Sequence, residues 1–340
     1  MREGENLSKD ILTASSDSCH RVIIPLYIPE EEEYYKDSFK LFEYCLKSIH
    51  KTSISNLKVS VVSNGSSDLV NAKLLDLYKE KYIDELIIEK ENIGKINSVL
   101  KALRTAQERL ITITDADVLF DNNWEKEVLN IFEEFPKAGS VSPVPVFRTH
   151  FRLTSNIWFD NLFSSRLKFL PVPDPESMEL FAKSIGWSFL DIIYREFIAT
   201  LKSKNGKIAV LGSSHFVCTY KREIFSQMPK NNSVYKLGGD SEYLFTDLPV
   251  IKMGGYRLAT YSNHAFHLGN VFEDWMEKKF NDLKNQDKGF CNTDQIKTLK
   301  PRKAYYLFTE KFFKRILLNK QFKKKILKYK GLTESQIAEL

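Results

Sequence analysis

Apolar runs of five to eight residues alternate with stretches of helical periodicity through the first third of this 340-residue chain. Arg21 to Ile28 is a run of buried-strand length, followed by an acidic loop (Glu30 to Glu33) and a helical pattern to about Lys51. Leu57 to Ser63 predicts a second strand, closed by Asn64-Gly65-Ser66-Ser67-Asp68, which combines turn chemistry with a helix N-cap. A helix to about Tyr82, a strand over Glu85 to Glu89, the turn Asn92-Ile93-Gly94 and a helix to about Arg109 follow. The strand Leu110-Ile-Thr-Ile-Thr then delivers Asp115-Ala-Asp117. Short strands alternating with helices predict right-handed βαβ units and a parallel sheet.

Beyond Asp117 the alternation weakens. Ser140 to Phe147 predicts a strand near an edge, because proline cannot donate to a ladder. Residues 148–205 read as aromatic-rich and irregular, and Ile208 to Tyr220 as a strand interrupted at Gly212. Gly238-Gly-Asp-Ser-Glu-Tyr243 opens a helix that ends at Gly254-Gly255, and Tyr256 to Tyr261 predicts one more strand. The expected organisation is a mobile arm over 1–19, a body over 20–295 divided at residue 147, and a helical tail over 296–340.

In parallel sheets, ligands bind at the carboxyl ends of the strands. Tyr27, Asn64, Lys95 and the pair Asp115/Asp117 fall at four successive strand ends. Residues i and i+2 of an extended segment face the same way, so Asp115 and Asp117 can converge on one ligand. Two hard carboxylates suit Mg²⁺ or Mn²⁺ shared with phosphate. A strand-ending turn is the plain alternative for Asp-Ala-Asp. Taken together, the four strand ends predict a nucleotide site.

Charge alters the picture only once it is located. Residues 300–330 hold twelve Lys or Arg against Glu310 alone, a local +11, which leaves −5 on the rest of a chain whose net charge is +6. That distribution, with no accompanying motif, excludes nucleic acid as the expected partner. Phe308, Phe312 and Ile316 recur at four-residue steps among these cations. Such a tail suits an anionic membrane surface or a helix packed on the body with a solvated basic face. No apolar run is long enough to span a bilayer, and the polar N-terminus lacks a leader's apolar core. Four dispersed cysteines fit reduced thiols, so a cytoplasmic protein, peripheral on the inner face of a membrane at most, is expected.

From Arg21 to Asn270 the order of these motifs resembles a GT-A-fold glycosyltransferase of the inverting family 2 type. The likeness rests on Pro25-x-Tyr27, Asn64-Gly-Ser-x-Asp68, Asn92-x-Gly-Lys95, Asp115-x-Asp117, a glycine-containing later strand, Gly238-x-Asp240-x-Glu242 and a late histidine. It implies a Rossmann-like mixed sheet flanked by helices and a nucleotide-sugar donor, a UDP-sugar being favoured. Pro25, Tyr27, Asn64, Lys95 and Asp115 would bind that donor, with Asp117 and His267 on Mn²⁺ or Mg²⁺ and His264 the rival histidine. Asp240 would be the general base, a helix N-cap being its alternative role. Trp158, Trp187 and Glu242 are acceptor-side candidates, the tryptophans being core residues otherwise. A glycan or lipid-linked acceptor is expected. The chain departs from the pattern at Ile28, Ser63, Gly239 and Leu100, where the family more often has asparagine, an acid, an acid and asparagine. The competing functions are a nucleotide-sugar or glycan-binding module and a sugar-phosphate nucleotidyltransferase. The latter calls for a basic, glycine-rich first loop, where this chain has Glu30 to Glu33.

Overall fold

The computed structural model describes residues 18–289 and 293–339, together with residue 9. Most of the expected N-terminal arm lies outside the described residues. The core is a ten-stranded mixed sheet with helices packed on it.

Four parallel strands form one half: β1 (His20–Leu26), β2 (Lys58–Asn64), β3 (Glu85–Glu89) and β4 (Leu110–Thr114), in the order β3-β2-β1-β4. They are joined by α1 (Ser38–Thr52), α2 (Asp68–Lys79) and α3 (Lys95–Thr105). β1, β2 and β4 are buried almost throughout because both faces of the sheet are covered, and buried His20, Arg21, Ser60 and Thr112 are hydrogen-bonded within it. Ser67 caps α2, its hydroxyl accepting from the Val70 amide.

Beyond β4 the chain forms β5 (Val118–Phe120), α4 (Trp124–Glu134) and β6 (Ala138–Ser142). The edge placement expected for the strand at Ser140 is corrected here. β6 lies inside the sheet, between β10 (Val217–Lys221) and β11 (Tyr256–Thr260). It ends at Ser142, before Pro143, so no proline interrupts the ladder. Residues 148–205 are also more regular than expected: α5 (Ser155–Asn161), β7 (Leu167–Pro171), α6 (Pro175–Ser184), α7 (Ile192–Glu196) and β8 (Phe197–Lys202). The sheet is completed by β9 (Ile208–Leu211), and β12 (Ala265–His267) pairs only with β5. The interruption at Gly212 separates β9 from β10 into different places in the sheet.

The segment expected to be one helix from Gly238 is helical over 241–252 and includes a π-helical turn, Tyr243–Asp247, before α8 (Leu248–Lys252) with Pro249 in its first turn. A π turn rotates later side chains relative to an α-helix, and such turns gather at functional sites.

After α9 (Asp274–Asn281), the tail runs through α10 (Lys303–Leu307), a π-helical turn at Phe308–Phe313, α11 (Lys314–Leu317), α12 (Lys320–Tyr329) and α13 (Glu334–Glu339). Phe313, Leu317 and Ile326 enter the main hydrophobic core, beside Ile157 and Trp158. Leu307, Phe308, Phe312 and Ile316 stay exposed on the other face. Among the described residues no helix is long and apolar enough to cross a membrane. Cys45 and Cys218 are free and buried, but Cys19 is disulfide-bonded, so the expectation of four reduced thiols fails.

Candidate active site

The carboxyl edge of β1 to β4 gathers the polar residues that the sequence placed there. Gly94 opens α3 with a left-handed φ of 96°, and the Lys95 amide donates to the Lys236 carbonyl (2.9 Å). A Cβ on residue 94 would lie 2.8 Å from the Tyr235 carbonyl oxygen, so the close approach of these loops requires glycine. Asn64, almost fully buried, shapes the same turn: its Oδ1 accepts from the Ile93 amide (2.8 Å) and its Nδ2 donates to Asn92.

Lys95 is thereby aimed at the acids, with Nζ 2.5 Å from Asp115 and 3.5 Å from Glu242. Burial opposes the lysine's charge, but Asp115 and Glu242 outweigh it and hold its pKa above the ordinary value. On the other side of the Asp pair, β12 carries His267 against β5 in register with Val118. Asp115, Asp117 and His267 offer ligand atoms within 4.8 Å of one another. The His267 Nε2 to Asp117 Oδ2 separation is 3.6 Å, too long for a hydrogen bond. It is close to the ~3–3.6 Å between two ligands that each sit about 2.1 Å from a shared small cation. The His267 Nδ1 is buried with no partner among the described residues. A carboxylate pair and an imidazole at this spacing fit Mn²⁺ or Mg²⁺. Enclosure pushes the Asp117 carboxyl up; His267 draws it down and Asp115 adds to the rise. The rival His264 is engaged elsewhere, its Nδ1 3.2 Å from the Asn122 carbonyl.

Two cavities meet at this cluster and share Lys95, Asp115 and Leu237. One, about 310 Å³, is lined by Pro25, Asn64 and Asp117, with Tyr27, Tyr34 and Tyr35 as an aromatic wall. The other, about 410 Å³, extends toward α6 and contains Glu242, His267, Arg148, Arg152 and His215.

The remaining candidates divide. Glu242 faces the second cavity. Asp240, two residues earlier, is exposed at φ 62° after Gly238 and Gly239, both also left-handed, and lines neither cavity. Among the described residues its carboxylate caps no amide; only its carbonyl accepts, from Leu244. Trp158 is fully buried, stacked on Phe151 with its indole donating to the His150 carbonyl, and lines neither cavity. Trp187 reaches the second cavity indirectly, through the Arg148 guanidinium 4.8 Å from its ring.

Sequence reasoning missed Tyr34, Tyr35, Arg148, Arg152, His215 and Asp247. The tyrosines follow four glutamates that masked them as a solvated loop. His215 bonds Asp247 through Nε2 (2.6 Å), and Asp247, fully buried, also meets Arg257 (2.9 Å). Burial pushes the Asp247 carboxyl up, but Arg257 and His215 bring it below the usual carboxylate range.

A Rossmann-like parallel half-sheet with an acid pair at a strand end and a histidine from a small second sheet is an arrangement of the GT-A type. Residues 22–188 match the model of the family described as glycosyl transferase family 2. Solved structures similar to it include S. aureus TarS (14% identity, TM-score 0.41, covering 73% of this chain and 59% of that one). Another is the mannosyltransferase PcManGT from Pyrobaculum calidifontis in complex with GDP-Man and Mn²⁺ (16%, 0.41, 98% and 82%). A third is GalNAc-T7 with UDP, GalNAc and Mn²⁺ (11%, 0.47, 75% and 44%). The chain thus spans less than two thirds of the TarS and GalNAc-T7 chains. No curated protein matches the sequence.

Proposed function

We propose that the protein is a metal-dependent, inverting glycosyltransferase moving a hexosyl or N-acetylhexosaminyl unit from a nucleotide sugar, a UDP-sugar being favoured. The acceptor is a hydroxyl of a glycan or lipid-linked intermediate in polysaccharide or glycolipid assembly. The observation that carries this reading is the meeting of Lys95, Asp115, Asp117 and His267 where the two cavities join.

In this reading the tyrosine-walled cavity takes the nucleoside, with Asn64 and Asp115 beside it, and the second takes the sugar and acceptor. Asp117, Asp115 and His267 would hold Mn²⁺ or Mg²⁺, which supplies Lewis-acid neutralisation of the leaving diphosphate. Lys95 adds a fixed positive charge where negative charge develops. A carboxylate takes the acceptor hydroxyl proton as that oxygen bonds the anomeric carbon, and the bond to diphosphate breaks with its electron pair on the diphosphate. Asp240 is the proposed base, on a glycine-rich loop three residues after Leu237, which lines both cavities; Glu242, ion-paired to Lys95, is the alternative. A positioned base contributes about 10²–10⁴-fold.

The exposed strip Leu307, Phe308, Phe312 and Ile316, with Lys311 and Arg315 between, supports docking on an anionic membrane carrying the acceptor. Asp240→Asn is expected to bind donor normally and lose transfer by at least about 10²-fold. Retained turnover in Asp240→Asn, with loss in Glu242→Gln, moves the base to Glu242.

A further inference from the structure

The lining of the second cavity carries both signs: Asp115 and Glu242 with Lys95, and a basic wall of Arg148, Arg152 and His215. Arg148 and Arg152 are exposed, and neighbouring groups orient the side chains of Arg148 and His215. Arg148 is held at a left-handed φ of 62°, its guanidinium 4.8 Å from the Trp187 ring, 5.0 Å from the Tyr194 ring and 3.2 Å from Asp191. His215 is fixed by buried Asp247 through one ring nitrogen. Arg152 forms no ion pair among the described residues, while its backbone carbonyl accepts from buried Arg257. Arg257 also donates to the Ser213 carbonyl (2.9 Å), which ties the Arg152 turn to the segment bearing His215. A planar guanidinium stacked on aromatic faces is pre-organised for forked hydrogen bonds to oxyanions.

Resting on the proposed function, we infer that this wall is an acceptor subsite for an anionic group, a phosphate or carboxylate, beside the hydroxyl to be glycosylated. Lys95 serves the diphosphate and Arg148 and Arg152 serve the acceptor, so one cavity holds two separate anion sites. A neutral acceptor would give the two guanidinium groups no charge to pair with. An anionic one lets Arg148 and Arg152 chelate it, with the free nitrogen of His215 available as a third contact.

The test uses the full chain, as wild type and as Arg148→Gln/Arg152→Gln. Binding of glycerol 1-phosphate, methyl glucuronide and methyl glucoside is measured by calorimetry, with and without UDP and Mn²⁺. UDP affinity and the urea midpoint are measured alongside. At least one anionic probe is expected to bind, methyl glucoside at least about tenfold more weakly, and the variant to lose at least about tenfold in that anion's affinity. UDP affinity should remain within about twofold. Preference between the two anions distinguishes a phosphorylated acceptor from a uronate. Equal affinity for charged and neutral probes, or an unchanged variant, overturns the inference. A matching loss of UDP affinity also overturns it, by making the arginines diphosphate ligands. Absence of UDP binding with intact anion binding counts against the donor reading, leaving the anion site standing.

Discussion

Asp247→Ala tests how the second cavity's wall is held. In the native fold Asp247 is fully buried and Arg257 only 2% exposed, 2.9 Å apart, with His215 2.6 Å from the other carboxylate oxygen. Removing the carboxylate leaves the Arg257 charge buried with only the carbonyls of Arg152 and Ser213 as partners. Breaking a buried pair from one side costs about 3–5 kcal/mol. That is a large share of the roughly 5–15 kcal/mol that holds a typical domain. Arg257→Met removes the stranded charge, so Asp247→Ala/Arg257→Met should recover at least about 2 kcal/mol relative to additivity. Urea unfolding followed by circular dichroism supplies the four midpoints of the cycle. Because the folded-state pKa of Asp247 is depressed, its contribution is complete above the unfolded value near 3.9. It is lost as pH falls through the folded value, so wild type and Asp247→Ala should converge in stability on acidification below about pH 4. Additivity within about 0.5 kcal/mol, or a gap that stays constant with pH, would refute the reasoning.

Two further outcomes follow from the geometry. Gly94→Ala puts a Cβ 2.8 Å from the Tyr235 carbonyl at φ +96°, which should cost about 1–3 kcal/mol and weaken nucleotide binding by moving Lys95. Unchanged stability and affinity would show that the two loops can part freely. Phe308→Ser/Phe312→Ser removes apolar surface that is 43% and 59% exposed, so folding should survive while co-sedimentation with phosphatidylglycerol vesicles falls at least about tenfold. Retained sedimentation would place any membrane contact elsewhere.

The first half of the fold was legible because each strand carries a short β-branched or apolar stretch between turn and cap residues. Glu85–Glu89 matches its expected bounds, and β1, β2 and β4 lie close to theirs. Strand ends in a parallel sheet share one edge, so Lys95, Asp115 and Asp117 could be placed together without coordinates. β7 and β8 were hidden because they lie toward the sheet's edge, where Lys168 and Lys202 break the apolar pattern. The proline run misled at β6, since the chain leaves the sheet before its first proline. The His215–Asp247 pair spans 32 residues, and it depends on the turning of side chains in a π turn, which neither strand nor helix periodicity encodes. Trp158 shows the opposite error: an aromatic-rich segment offers sugar platforms and core fillers in the same letters, and burial alone separates them.

In the proposed function, Asp115, Asp117 and His267 make a metal-assisted donor site. Its most direct test is a thermal-shift panel of UDP, GDP, CDP and dTDP with and without Mn²⁺, on wild type and Asp117→Ala. A ligand that binds only the folded state raises the midpoint by mass action. A metal-dependent rise is expected with one nucleotide, UDP first among them, and should disappear in Asp117→Ala. No rise with any nucleotide, or an equal rise in Asp117→Ala, would contradict it.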